Sequence, residues 1–180
     1  PDVGWFLSDT GVYSVSASKA AASDYRFSLY WLFDGLFWVH CLFAVNVVVA
    51  GLMILGVRTR LATLLAFILL VSLHNRNPVL LQGGDNLLLL LLFWGMFVPL
   101  GARWSIDAAM TTGARPSNSY VGWGSAALIL QVLSVYFFSA FLKNGAEWVS
   151  EGSAIYYALQ NDQVAHLLAP YWRDWHWLTR

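Results

Sequence analysis

Gly35 to Val57 reads GLFWVHCLFAVNVVVAGLMILGV, 23 residues without a formally charged side chain. At 1.5 Å per residue a helix of that length crosses about 30 Å of hydrocarbon, so the stretch is expected to be transmembrane. The rest of the chain agrees. Of its 180 residues 58% are hydrophobic and only 11% charged, too few to cover a globular surface, where roughly a quarter is usual. Ten tryptophans fit the same solvent, because Trp and Tyr collect where helices cross the headgroup region.

Three further spans are expected, giving an all-α bundle of about four at residues 35–57, 59–76, 86–100 and 120–142. The second has an apolar centre of only 13 residues, Leu61 to Leu73, and lengthens if Arg58 and Arg60 snorkel at one end while His74 reaches the interface at the other. Between spans two and three, HNRNPVLLQGGDN (His74 to Asn86) is read as a polar broken loop, with Asn77-Pro78 and Gly83-Gly84 interrupting helix. The fourth span, Tyr120 to Leu142, again has 23 uncharged residues. Residues 1 to 30 are expected to form a loop with a short interfacial helix. The aromatic segment 151–180, with Trp172, Trp175 and Trp177, is expected to lie along the interface as an amphipathic piece.

Arg58 and Arg60 fall between the first two spans, and Arg103 and Arg115 between the last two. The positive-inside rule then makes loops 58–60 and 101–119 cytoplasmic in a multi-pass protein of the cell (inner) membrane. Residues 1–34 and 143–180 fall on the opposite side or at its interface. The first apolar span begins only near residue 30, so no signal peptide is expected within these residues, and a start at Pro1 rather than Met leads one to expect a single transmembrane domain belonging to a longer chain.

Ten basic and ten acidic residues cancel without a run of either sign, which excludes a nucleic-acid binder. Cys41 has no partner cysteine, and His40, His74, His166 and His176 are too scattered for a metal or haem site. No Walker loop, GxSxG or HExxH occurs.

Two constellations carry chemistry. The His74–Asn86 loop places an imidazole, the Arg76 guanidinium, Asn77 and the Asp85 carboxylate between two spans, where ionisable groups are costly enough to need partners or a function. The bland alternative is an interfacial turn in which Arg76 and Asp85 pair across the Gly-Gly bend. Lys143 ends the fourth span ahead of Glu147 and Trp148, and a lysine at a dry interface loses its proton readily enough to act as a base. Here the alternative is snorkelling, or an ion pair to Glu147 one turn on. His40, Asn46, Gln131 and Ser134 inside the spans are expected to bond between helices.

The stretch HNRNPVLLQGGDNLLLLLLFWGMFVPLGARWSIDA (His74 to Ala108) resembles the membrane domain shared by vitamin K-dependent gamma-carboxylases and their bacterial relatives, the horizontally transferred transmembrane (HTTM) domain. FLSDTGVYS (Phe6 to Ser14) and FSAFLKNGAEWVSEGSAIYYAL (Phe138 to Leu159) are similar to two further pieces of that family, in the same order. The resemblance implies a quinone-type ligand, with Lys143 as the base that deprotonates it. The residues themselves add Asp85 and His74 as candidate proton partners and Arg76 as available for an anion such as bicarbonate, with Asn77, Glu147 and Trp148 as further candidate ligand contacts. Where the carboxylases carry an Asn-His pair this chain has Gly84-Asp85, and their large luminal domain is expected, if present, only beyond Arg180. The other class kept open is a non-catalytic subunit or scaffold of a larger membrane complex.

Overall fold

The computed structural model describes residues 3–9, 11–23, 25–33, 35–113 and 119–160. The aromatic segment beyond residue 160, with its three tryptophans, lies outside the described residues, as does Arg115. The described residues are helical throughout, without a strand: α1 (Val3–Leu7), α2 (Val15–Ala21), α3 (Leu36–Leu55), α4 (Thr59–Arg76), α5 (Gly83–Gly95), α6 (Ile106–Met110), α7 (Trp123–Leu142), α8 (Ala146–Val149) and α9 (Ala154–Gln160). The chain divides into two compact units, Pro1–Ile129 and Leu130–Arg180, the boundary falling inside α7.

Of the four expected spans, α3 and α7 are 20-residue helices long and apolar enough to cross a membrane. Helix α4 has 18 residues, a length of about 27 Å, but it carries Arg60, His74 and Arg76 at its ends. Helix α5 has only 13 residues, about 20 Å, and Leu100–Ala102 forms a separate 3-10 turn rather than extending it. At the front, two short helices replace the expected loop with one.

In the first unit α4 is the central element, packed against α3, α5, α2 and the 3-10 turn Leu29–Trp31. Its buried face is small and polar: Thr59, Ala62, Thr63, Ser72 and Arg76 recur at helical spacing, with Leu69 between them. Small and hydroxylated residues let helix backbones approach closely when lipid supplies no hydrophobic drive between them. Leu61, Leu64, Leu65 and Ile68 are exposed. Helix α4 is thus less apolar than α3 because one of its faces is buried in protein, whereas α3 exposes Phe43, Val47, Val48 and Ile54.

One expectation for the loop after α4 is corrected. Gly83 and Gly84 do not break a helix; they open α5, behind a capping box in which Asp85 accepts from the Gln82 backbone N–H at 2.8 Å. The first turn tolerates glycine because its amides lack intrahelical partners in any case. His74, at the end of α4, is buried against its neighbours, 8% exposed.

The α3–α4 turn depends on glycine. Gly56 ends α3 in the left-handed region (φ 68°), where a Cβ would lie 2.3 Å from that of Ser105, and the Val57 amide donates back to the Leu52 carbonyl at 2.9 Å. Arg58 follows with φ 43° and gives α4 no side-chain cap. Asp107, from α6, takes that place across 48 residues. Its carboxylate accepts from the Arg58 and Thr59 amides, both at 2.7 Å, and from the Thr59 hydroxyl. These donors, the Thr59 hydroxyl foremost, hold the Asp107 carboxyl below its ordinary value of 3.8.

A depressed folded-state pKa contributes stability that is present above the unfolded value and fades as pH falls below it. Asp107→Ala is therefore expected to lower the thermal midpoint in lipid nanodiscs by about 2–4 °C at pH 7. The difference from wild type should close as pH drops below about 4. Equal midpoints at pH 7 would contradict the capping role.

Candidate functional site

The end of α4 gathers most of the polar residues singled out in the sequence, and sends them in two directions. Arg76 is fully buried and turns toward the front segment. Its Nε donates to the Leu7 carbonyl at 3.0 Å, and its Nη2 to the Ser8 and Tyr13 carbonyls at 2.9 Å each. Nη1 is buried without a hydrogen-bond partner. Arg76 therefore does not pair with Asp85 across the glycines; it binds backbone contributed some 60 to 70 residues earlier.

Neighbouring groups extend the same seam. Asn77 Nδ2 donates to the Phe6 carbonyl at 2.9 Å, Asn75 Nδ2 to Phe27 at 2.8 Å, and the Ser18 hydroxyl to the Arg76 carbonyl at 2.8 Å. Trp31 Nε1 in turn donates to the Ser18 hydroxyl at 3.0 Å, and the Ser28 hydroxyl to the Ser72 carbonyl at 2.6 Å. A guanidinium can supply this fork of donors and stay ionised in a dry environment; no other side chain has that geometry.

On the opposite side, His74, Asn77 and Asp85 line one cavity of about 380 Å³. Its walls are otherwise apolar: Val3, Phe6 and Leu7 from α1, Phe43 from α3, Leu70 and Leu73 from α4. The volume falls in the range of small-molecule pockets, and a mostly apolar lining with a few convergent polar groups is their usual chemistry. The wall contributed by α1 is the part the Arg76 and Asn77 bonds hold in place. Arg76 itself does not line the cavity.

Lys143, Glu147 and Trp148 belong to the second unit. The ion pair between Lys143 and Glu147, one of the two alternatives for this lysine, is not formed. Helix α7 ends at Leu142, and Gly145 caps a new short helix, so the two residues do not share one helical face. Lys143 Nζ instead lies 4.6 Å from the centre of the Trp148 ring, a cation–π contact. His40 bonds the Leu36 carbonyl, Asn46 the Leu42 carbonyl and Ser134 the Leu130 carbonyl, each within its own helix; Asn46 also reaches the Tyr30 hydroxyl at 3.5 Å. Among the described residues no group of three or more His, Cys, Asp or Glu is placed to hold a metal ion.

A family model, HTTM domain, matches residues 7–178. The chain belongs to the HTTM domain family. The match takes in the Arg76 seam, most of the cavity and the Lys143–Trp148 segment together, and with α3 and α7 it makes the chain a membrane-associated HTTM protein. No curated protein and no solved structure matches it.

Sequence reasoning found His74, Asn77 and Asp85 but missed their apolar counterpart in α1, and it missed Asp107, Ser18 and Ser72. Isolated serines carry no signal in a sequence of this kind. Only their long-range bonds give them a role. For Arg76, replacement by Ala or Lys is expected to leave carbonyls of Leu7, Ser8 and Tyr13 without donors, at a cost of about 3 kcal/mol or more. Limited proteolysis should then cut between residues 5 and 15 at least tenfold faster than in wild type, and equal rates would contradict the clamp.

Proposed function

We propose that this HTTM protein is a carboxylase-like membrane enzyme that binds a quinone-type, lipid-soluble ring compound in the cavity beside α4. The single observation behind the reading is the cavity itself, an apolar chamber of about 380 Å³ whose polar contribution comes from His74, Asn77 and Asp85. A quinol presents an apolar ring and tail with two hydroxyl groups, so its body matches the Leu and Phe walls while a hydroxyl bonds the imidazole, amide or carboxylate. His74 and Asp85 then act as proton partners. Lys143, which belongs to the other unit, takes the role of base from the family resemblance of its own segment and not from any placement relative to the cavity, and Glu147 and Trp148 are candidate ligand contacts of that segment. Arg76 supports the site by holding its wall rather than by gripping an anion.

The same reading includes a multi-pass topology in which α4 and α5 are spans in addition to α3 and α7, in the inner membrane. What supports it is the packing of α4 against α3 and α5 and the arginines at 58, 60 and 103. By the positive-inside rule those arginines favour a cytoplasmic side for loops 58–60 and 101–119.

A second reading, a non-catalytic subunit of a larger membrane complex, is favoured by the exposed aromatic residues of α7, Tyr136, Phe137, Phe138 and Phe141, which suit a partner helix as well as lipid. One experiment separates the two: tritiated naphthoquinol binding and turnover by protein in nanodiscs, alongside native mass spectrometry of the membrane extract. The enzyme reading expects saturable binding, weakened about tenfold in His74→Ala and Asp85→Asn, and turnover abolished in Lys143→Ala with its fold intact. Absence of quinol binding in wild type, with partners at fixed ratio, would overturn it in favour of the subunit.

A further inference from the structure

The α3–α4 turn carries a second cavity that the proposed chemistry does not use. It has a volume of about 440 Å³ and is lined by Arg58, Thr59, Arg60 and Asp107, together with Leu61 and the segment Pro99 to Ala102. Arg58 and Arg60 are both exposed, and neither guanidinium makes a hydrogen bond or close ion pair among the described residues, although the Arg58 charge helps to hold the Asp107 carboxyl ionised. The acid in the cavity is already committed. Asp107 spends its oxygens on the Arg58 and Thr59 amides and the Thr59 hydroxyl, so it neutralises the start of α4 and turns no free carboxylate toward an incoming anion. Two guanidinium groups against one carboxylate leave one net positive charge in the lining.

The location narrows the anion. The apolar helix α3 ends at Leu55, three residues before Arg58, so the cavity opens where that helix leaves the hydrocarbon. Beside it, Trp104 is completely exposed, as expected for an indole standing among lipid headgroups rather than in a protein core. A guanidinium recognises a phosphate through paired donors, and a single net positive charge complements a singly charged phosphodiester.

We infer that this cavity binds the phosphodiester headgroup of an anionic phospholipid, gripped by Arg58 and Arg60. The inference rests on the membrane association of the chain and is independent of whether the other cavity binds a quinol.

Native mass spectrometry of the full chain released from nanodiscs of mixed phosphatidylglycerol and phosphatidylcholine tests it. Wild type is expected to retain phosphatidylglycerol over phosphatidylcholine, and Arg58→Gln/Arg60→Gln to lose about tenfold of that preference. Arg58→Lys/Arg60→Lys should recover part of it, since the charge is kept and the fork is lost. Unchanged helical circular dichroism in phosphatidylcholine alone establishes that the variants fold. Lys19→Gln/Arg26→Gln removes the same charge elsewhere and should leave the preference intact. Equal retention of both lipids by wild type overturns the inference. So does an equal loss in the Lys19/Arg26 pair, which marks general surface charge, or displacement of the lipid by millimolar inorganic phosphate, which marks a free-anion site.

Discussion

The buried guanidinium of Arg76 is the interaction on which the first unit depends. A charge removed from water needs partners for its donors, and here Nε and Nη2 find them in carbonyls of the front segment rather than in a carboxylate, while Nη1 is left unpaired. That choice has a structural consequence. An ion pair would satisfy Arg76 locally, whereas carbonyl acceptors on Leu7, Ser8 and Tyr13 oblige a loop more than sixty residues away to fold against α4. Once it does, Val3, Phe6 and Leu7 are carried into position as a wall of the cavity that His74, Asn77 and Asp85 also line.

The two ends of α4 are handled by opposite means. Its start is capped by an acid from a distant short helix, because Arg58 adopts a left-handed conformation and offers no side-chain oxygen. Its finish is a cluster of donors that serves the front of the chain. Helix α4 is therefore fixed at both ends by groups far away in sequence, and its small polar face lets α3 and α5 pack beside it. A site built around such a helix is held by the fold rather than by loops, which is what precise placement of a ligand requires.

Much of this was legible in the sequence, for reasons that can be named. The 23-residue uncharged runs gave α3 and α7 because a long apolar stretch has few other solutions, and the family was visible in three ordered segments because their Gly, Asn, Arg and Trp residues are chemically distinctive. The polar residues near position 80 were recognised as a cluster, but not how they divide. Arg76 and His74 are two residues apart, so on a helix they face different ways, and only the structure says which faces the cavity. Asp85 was matched with Arg76 on charge alone; the capping box and the carbonyl fork are both backbone interactions, which composition does not reveal. Asp107 was missed because it acts through the amides of a helix 48 residues earlier.

The most direct test of the account is amide hydrogen exchange on the wild-type protein in lipid nanodiscs, read at the front segment. If Arg76 holds that segment against α4, the Val12 amide, which donates to the Trp5 carbonyl at 2.8 Å, should exchange slowly, within about tenfold of amides in the middle of α4. Exchange of Val12 and its neighbours at the rate of an unanchored chain would contradict the clamp and, with it, the cavity wall on which the proposed ligand site relies.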